Sequence, residues 1–186
     1  MRIIAGEKRS RRLKTPEGMD TRPTSDRVKE SLFSILLNRL PGARILDLYA
    51  GSGALSLEAL SRGARSAVLA DKSKKACQVI RENIQTLEYS DRARLLAMDD
   101  HTALTLLRKE GAQFDLVFLD PPYRMRTESV CTRILEGEIL AESGMIVVEH
   151  AKETPPNDIA SLVLISRRDY GATGISFYQR EEERDR

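Results

Sequence analysis

The sequence predicts an α/β fold: a mostly parallel sheet with helices on both faces and an antiparallel pair of strands at one side. Three observations predict it. Short apolar runs alternate with segments of helical periodicity between residues 44 and 150. Acidic residues and glycines stand just after those runs, where a parallel sheet has its ligand-binding edge. The last two apolar runs meet at a glycine-rich turn, with no helix between them.

The elements follow in order. "RIIAG" and "RRLKTPEG" read as two short strands joined by a basic turn, a small N-terminal β-hairpin arm within residues 1–24. Pro16, Gly18 and Pro23 punctuate the passage to a helix that starts near Ser25. Val28, Leu32, Ile35, Leu36 and Leu40 form its apolar stripe, Asp26 can cap it, and Pro41-Gly42 stops it. "RILDL" (44–48) is then a strand, followed by the helical "ALSLEALSRG". "SAVLA" (66–70) is a second strand, followed by a helix from Lys74 to Leu87. "ARLLAM" (93–98) is a third, with a helix through "ALTLLRK". "FDLVFL" (114–119) is a fourth, with a helix near 127–137, and "MIVVEH" (145–150) is a fifth. "LVLISRRDYG" and "GISFYQ" add two strands that meet near Gly171–Gly174, for a sheet of seven. Residues 25–186 are expected as one domain, compact with the arm, and "REEERDR" as a solvated tail.

Composition narrows the functional classes. With 186 residues, 41% hydrophobic and 31% charged, the chain suits a single globular domain. It has no run of eighteen apolar residues, and "MRIIAGEKRS" does not read as a signal peptide. Cys77 and Cys131 are isolated, and His101 and His150 have no neighbours at metal-ligand spacing, so no metal is expected. These features suit a monomer in a reducing cytoplasm. The net charge is +2, yet residues 1–14 carry +5 and the remainder −3. A basic arm on a near-neutral body is a candidate nucleic-acid contact, with Arg9, Arg11, Arg12 and Lys14 as its cations. A solvated tail is the competing reading.

The turn after the first strand reads "DLYAGSGALS" (47–56). Gly51 and Gly53 allow a tight turn and close approach to a ligand. A dinucleotide fingerprint does not fit, because Ser56 holds the third small position and Asp47 precedes the turn. An acid there would repel a pyrophosphate and suits a cationic ligand. The second strand ends at Asp71, which can accept both hydroxyls of a ribose or cap the next helix. The third ends in Asp99-Asp100, either of which can accept from an adenine amine or cap the next helix. Tyr49 and Lys72 sit in the same strand-end segments and join the candidate set. Together these acids describe a nucleoside with a positively charged tail, such as S-adenosylmethionine.

The fourth strand delivers Asp120-Pro121-Pro122-Tyr123 to the same edge. An exocyclic amine on a base is a poor nucleophile, because its lone pair is delocalised into the ring. A carboxylate (Asp120) and a backbone carbonyl (Pro121) that accept its two N–H groups make the nitrogen more pyramidal. Its lone pair can then aim at a methyl donor. The two prolines hold the turn rigid, and Tyr123 offers a stacking face. An ordinary strand-ending turn is the plain alternative.

"DLYAGSG", Asp71 and "FLDPPY" resemble the class I (Rossmann-like) S-adenosylmethionine-dependent methyltransferases that act on amino groups. "RIIAGEKRSRRLKTPEG", "TRPTSDRVKESLFSIL", "LEALSRGA" and "DYGATGISFYQ" narrow the resemblance to the RsmD family, from about Arg2 to Gln179. The resemblance implies methylation of the N2 amine of one guanine in 16S ribosomal RNA, with S-adenosylmethionine as cofactor and a protein-bearing 30S small subunit as partner. It implies that Asp47, Gly51 and Gly53 line the cofactor loop, that Asp71 binds ribose and that Asp99 approaches the adenine. Asp120 to Tyr123 would grip the guanine amine, with Arg22 and Thr24 near the mouth. The family motif has a single acid followed by a small residue where this chain has Asp99-Asp100, which leaves the adenine contact between them open. Other readings are methylation of another RNA or DNA base or of a protein glutamine, an inactive RNA-binding methyltransferase fold, and a nicotinamide oxidoreductase. The arm is expected to contact RNA phosphates and to contribute little to the cofactor pocket.

Overall fold

The computed structural model describes residues 1–16, 26–122 and 125–181. Five helices are numbered in chain order: α1 (Asp26–Ile35), α2 (Ala54–Ser61), α3 (Lys74–Thr86), α4 (Asp100–Lys109) and α5 (Glu128–Glu136). The strands are β1 (Arg44–Leu48), β2 (Ser66–Ala70), β3 (Ala93–Leu96), β4 (Phe114–Leu119), β5 (Leu140–Ala151), β6 (Leu162–Tyr170) and β7 (Thr173–Arg180). They form one seven-stranded sheet in the order β3-β2-β1-β4-β5-β7-β6. β1 to β5 pair in parallel, and β7 joins β5 and β6 antiparallel. This is the expected α/β architecture.

Alternation along each strand sorts the core into two layers. Ile45, Leu69, Leu116, Phe118 and Val147 pack on one face with Leu32 and Phe33 of α1, Leu57 and Leu60 of α2, and Ile80 of α3. Leu46, Leu48, Val117, Leu119 and Val148 pack on the other with Leu104 and Leu107 of α4 and Val130 and Ile134 of α5. Among the described residues no helix is long and apolar enough to cross a membrane.

The strand order reverses beside β1: β2 and β3 lie on one side, β4 and β5 on the other. Helices leaving β1 and β4 cross opposite faces, so a crevice opens at their carboxyl ends. That crevice is where the glycine turn and Asp120 emerge.

Four boundaries differ from the sequence pattern. α1 stops at Ile35, and a 3-10 turn over Leu37–Arg39 leads to Pro41-Gly42. β3 stops at Leu96 rather than at residue 98, because Met98 N–H turns back to the Leu96 carbonyl at 2.9 Å. β5 starts at Leu140, where the exposed Glu142-Ser143 pair hides the strand pattern. Pairing with β4 is irregular between Phe114 and Leu116, and at Gly144 a Cβ would lie 2.6 Å from Leu140 Cδ1. The arm folds back on itself, and among the described residues its strand pairing is an antiparallel bridge between Arg2 and Arg12. Ile3 N–H donates to the Arg11 carbonyl at 2.9 Å and Leu13 N–H to the Met1 carbonyl at 3.0 Å. Beyond the bridge, Ile4 and Ala5 give their N–H groups to the Glu58 carboxylate on α2, at 2.8 and 3.0 Å.

That dock is a built structure, not a tail. Ile3 and Leu13 are buried in the core. Gly6 has φ of +87°, and a Cβ on it would lie 1.8 Å from the Ser61 carbonyl oxygen. Lys29 of α1 and Glu58 of α2 are both fully buried, 3.5 Å apart, and Lys29 Nζ donates to the Arg2 carbonyl at 2.6 Å.

Candidate active site

One cavity of about 540 Å³ occupies the crevice. The end of β1 contributes Asp47, Tyr49 and Gly51; the end of β2 contributes Asp71 and Lys72. The turn after β3 contributes Asp99 and Asp100, and the end of β4 contributes Asp120 and Pro121. Residues chosen from four separate stretches of sequence therefore share one wall system. Gly53 stands behind the cavity as the N-cap of α2; with φ of +78°, a Cβ on it would lie 2.9 Å from Leu69 Cδ2. Tyr123, Arg22 and Thr24 lie outside the described residues.

Asp47 is buried and accepts a hydrogen bond from Ser56 Oγ at 2.9 Å. Loss of hydration pushes its carboxyl up to about 7, opposed by the Ser56 bond and reinforced by Asp120 and Asp71. Ionising it here is costly, and a cation placed against it offsets that cost. Solvent reaches Asp120 through the cavity, yet the protein closing around it strips much of its hydration and raises its carboxyl above the usual range.

Asp71 ties the glycine turn to the next helix. Its Oδ2 accepts from Gly51 N–H at 2.9 Å and its Oδ1 from Ser73 N–H at 2.8 Å. The cap of α3 is Ser73, whose hydroxyl accepts from Ala76 N–H at 3.3 Å, so Asp71 is not the cap. Each Asp71 oxygen keeps lone-pair capacity for a further donor.

The two acids after β3 do different things. Asp99 is the N-cap of α4, accepting from Thr102 N–H at 2.8 Å and from its hydroxyl at 3.1 Å. Asp100 pairs with Arg133 of α5 at 2.6 Å. Tyr49 holds φ of +68°, unusual for a residue with a side chain, and its buried hydroxyl finds no hydrogen-bond partner among the described residues. Burial, then the nearness of Asp100, push its phenol far above the usual range.

The arm also reaches the cavity. Met1, Thr15 and Pro16 line it, together with Lys29. Asn83 of α3 is buried and bridges the two parts: it accepts from Lys14 N–H at 2.8 Å and donates to the Ser52 carbonyl at 2.9 Å. Of residues 1–14, expected to contribute little to this pocket, Met1 lines it, and Thr15 and Pro16 follow directly. The hydrophobic anchors Ile3 and Leu13 hold it against the helices that frame the glycine turn.

The arm's cations are partly engaged. Lys14 pairs with Glu82 at 2.7 Å, Lys8 with Glu88 at 2.7 Å, and Arg11 donates to the Thr86 carbonyl at 3.0 Å. Arg9 and Arg12 are exposed.

Met98, Met125 and Glu149, absent from the sequence-based site, also line the walls, as does Pro122 of the expected Asp120–Tyr123 motif. Glu149 had a readable signal. It ends the apolar run of β5 just as Asp120 ends that of β4.

Residues 1–179 match the family described as Conserved hypothetical protein 95. Ribosomal RNA small subunit methyltransferase D of Escherichia coli K12 is 36% identical over 185 residues, covering 98% of this chain and 91% of its own. YlbH of Bacillus subtilis is 41% identical over 182 residues, covering 97% and 99%. The solved structure of yhhF from Escherichia coli superposes with a TM-score of 0.85 at 36% identity, covering 98% of this chain and 99% of that one. With a class I methyltransferase fold and relatives of this identity over nearly its whole length, the chain belongs to the RsmD family.

Proposed function

We propose that the protein transfers a methyl group from S-adenosylmethionine to the exocyclic N2 amine of a guanine in small-subunit ribosomal RNA. The observation that carries the reading is the placement of Asp120-Pro121 on the rim of a cavity walled by the acids of three other strand ends. The name of the Escherichia coli relative supports ribosomal RNA as the substrate class.

The residues fit the cofactor. The cavity volume of about 540 Å³ falls in the range of small-molecule sites. Asp47, costly to ionise alone, suits a ligand with cationic groups. Asp71 is placed to accept from ribose hydroxyls, and the Asp99-Asp100 turn borders the space for an adenine amine. When bound, S-adenosylmethionine supplies an electrophilic methyl group on a sulfonium.

The protein's part is to hold the acceptor amine. The Asp120 carboxylate and the Pro121 carbonyl accept its two N–H groups and turn its lone pair toward the cofactor side of the cavity. As the new N–C bond forms, the nitrogen becomes cationic and must lose a proton. Asp120, with its carboxyl raised above the usual range, is suited to take it. Pro122 and Met125 give that space apolar walls.

The direct test incubates the protein with labelled S-adenosylmethionine and unmodified small subunits, then maps the labelled nucleoside. Label on a guanine N2 is expected; label on another base, or none, overturns the reading.

Asp71→Ala is expected to weaken cofactor binding tenfold or more, through lost ribose hydrogen bonds of about 1.5–3 kcal/mol each. Calorimetric titration of the folded variant checks this, and unchanged affinity removes Asp71 from the site. For RNA, the exposed Arg9 and Arg12 are the phosphate contacts of the arm, with Arg11 and Lys14 beside them. Neutralising Arg9 and Arg12 is expected to reduce the slope of log affinity against log salt by about 0.7–0.9 per contact. The loss should be equal for correct and altered target sequences, since phosphates carry no base information. A slope that does not change places the RNA-binding face elsewhere.

A further inference from the structure

A second cavity of about 210 Å³ adjoins Asp120. It shares Asp120, Pro121, Pro122, Met125 and Glu149 with the larger one, so the two meet at the reacting edge. Its outer walls include Pro155, Pro156 and His150, flat or rigid groups suited to one heterocycle.

His150 is held there by both ring nitrogens. Its Nδ1 lies 2.8 Å from the Ala151 carbonyl, which can only accept, so Nδ1 carries a proton. Its Nε2 shares a hydrogen bond with Ser176 Oγ at 2.9 Å. Burial lowers its pKa. Gly174 leaves room for the ring: a Cβ there would lie 2.3 Å from His150 Cε1. With both nitrogens committed, His150 shapes the cavity and does not read a base.

Of the residues that line both cavities, Asp120 and Glu149 carry the polar side chains. β4 and β5 run parallel with Leu119 opposite Val148. The next residue on each strand is Asp120 and Glu149, so the two acids leave adjacent strands at the same level. Neighbouring strands lie about 4.7–4.9 Å apart, which sets two acceptors side by side.

We infer that Glu149 is the specificity-determining residue for the acceptor base: it accepts the ring N1–H of guanine while Asp120 accepts the neighbouring N2 amine. This inference rests on the guanine-N2 reading above. Among the four RNA bases, guanine alone carries an amine next to a ring N–H. Adenine and cytosine place a bare ring nitrogen beside the amine, and its lone pair would face the Glu149 carboxylate. Uracil has no amine. Two adjacent carboxylates thus accept guanine and reject the other amine-bearing bases by repulsion, a rejection as useful as the attraction.

The test uses small subunits whose methylated guanine, once mapped, is replaced by 2-aminopurine. That base keeps the N2 amine but has a lone pair in place of N1–H. Single-turnover transfer is measured with the wild-type protein and with Glu149→Gln, whose amide can both accept and donate. The wild type is expected to prefer guanine by at least tenfold, and E149Q to reduce that preference by tenfold or more. Glu149→Asp, which keeps the carboxylate, is expected to keep a guanine preference. Wild-type protein that uses both bases equally overturns the inference without any variant. So does a folded E149Q with an unchanged ratio. If the wild type methylates no guanine N2 in intact subunits, the proposed reaction itself fails, and the Glu149 assignment falls with it.

Discussion

Replacing Asp120 by alanine is expected to abolish methyl transfer while leaving cofactor affinity within a few-fold of wild type. The asymmetry follows from position. Asp120 sits where the two cavities meet, so in the proposed reaction its carboxylate faces the acceptor amine. In the same proposal the ribose and adenine ends of the cofactor fall to Asp71 and the Asp99-Asp100 turn. An acceptor amine is neutral at the outset and gains positive charge as the bond forms. A carboxylate beside it is therefore worth more in the transition state than in the ground state, which is the condition for raising rate rather than affinity. Losing one such preorganised electrostatic contact costs roughly a hundredfold or more. Asp120→Asn sharpens the test. It keeps an oxygen acceptor for one N–H but removes the charge and the proton acceptor, so it should also be severely impaired. Single-turnover rates with saturating cofactor, beside calorimetric cofactor titrations, separate the two effects. Transfer near the wild-type rate in Asp120→Ala sinks the mechanism.

Much of this layout was readable because it depends on local pattern. "RILDL", "SAVLA" and "FDLVFL" are short, apolar and bounded by turns, and they form β1, β2 and β4 with the expected limits. The acids that follow them were found by one rule, that ligands gather at the carboxyl ends of parallel strands. What stayed hidden depends on long-range partners. Glu142, Ser143 and Gly144 interrupt the apolar run of β5, so the sequence pattern puts its start five residues late, at 145 rather than 140. The same rule applied to β5 would have reached Glu149. The arm's dock rests on Glu58, more than fifty positions from the N–H groups it accepts. No periodicity within "RIIAGEKRS" signals that. One hint lay in the apolar stripes themselves: Lys29 falls among the inward-facing positions of α1, and Glu58 within the almost wholly buried α2. A buried lysine and a buried glutamate on separate helices are each costly unless they meet.

That buried pair sets the other large effect. Glu58→Ala is expected to destabilise the fold by about 3–5 kcal/mol, the cost of breaking a buried ion pair from one side. Lys29 would keep its charge in a place where burial already lowers its pKa, with its nearest carboxylate gone. Arg62 would lose its 2.7 Å contact, and the N–H groups of Ile4 and Ala5 would lose their acceptor. For a chain of this size the loss corresponds to a melting temperature lower by roughly 6–20 °C. Glu58→Gln, whose amide oxygen still accepts, should fall between the two. The consequence reaches function because the arm is a wall of the larger cavity. Releasing residues 1–5 frees Met1 from that wall and loosens Thr15 and Pro16. Cofactor affinity of the protein that remains folded, measured well below its melting point, should therefore fall severalfold or more. The two readouts answer different questions. A melting temperature within two degrees of wild type means the Lys29–Glu58 pair does not hold the helices and arm together. A large loss of stability with unchanged cofactor affinity means the arm is structural only, and the cofactor is held by the strand-end residues alone.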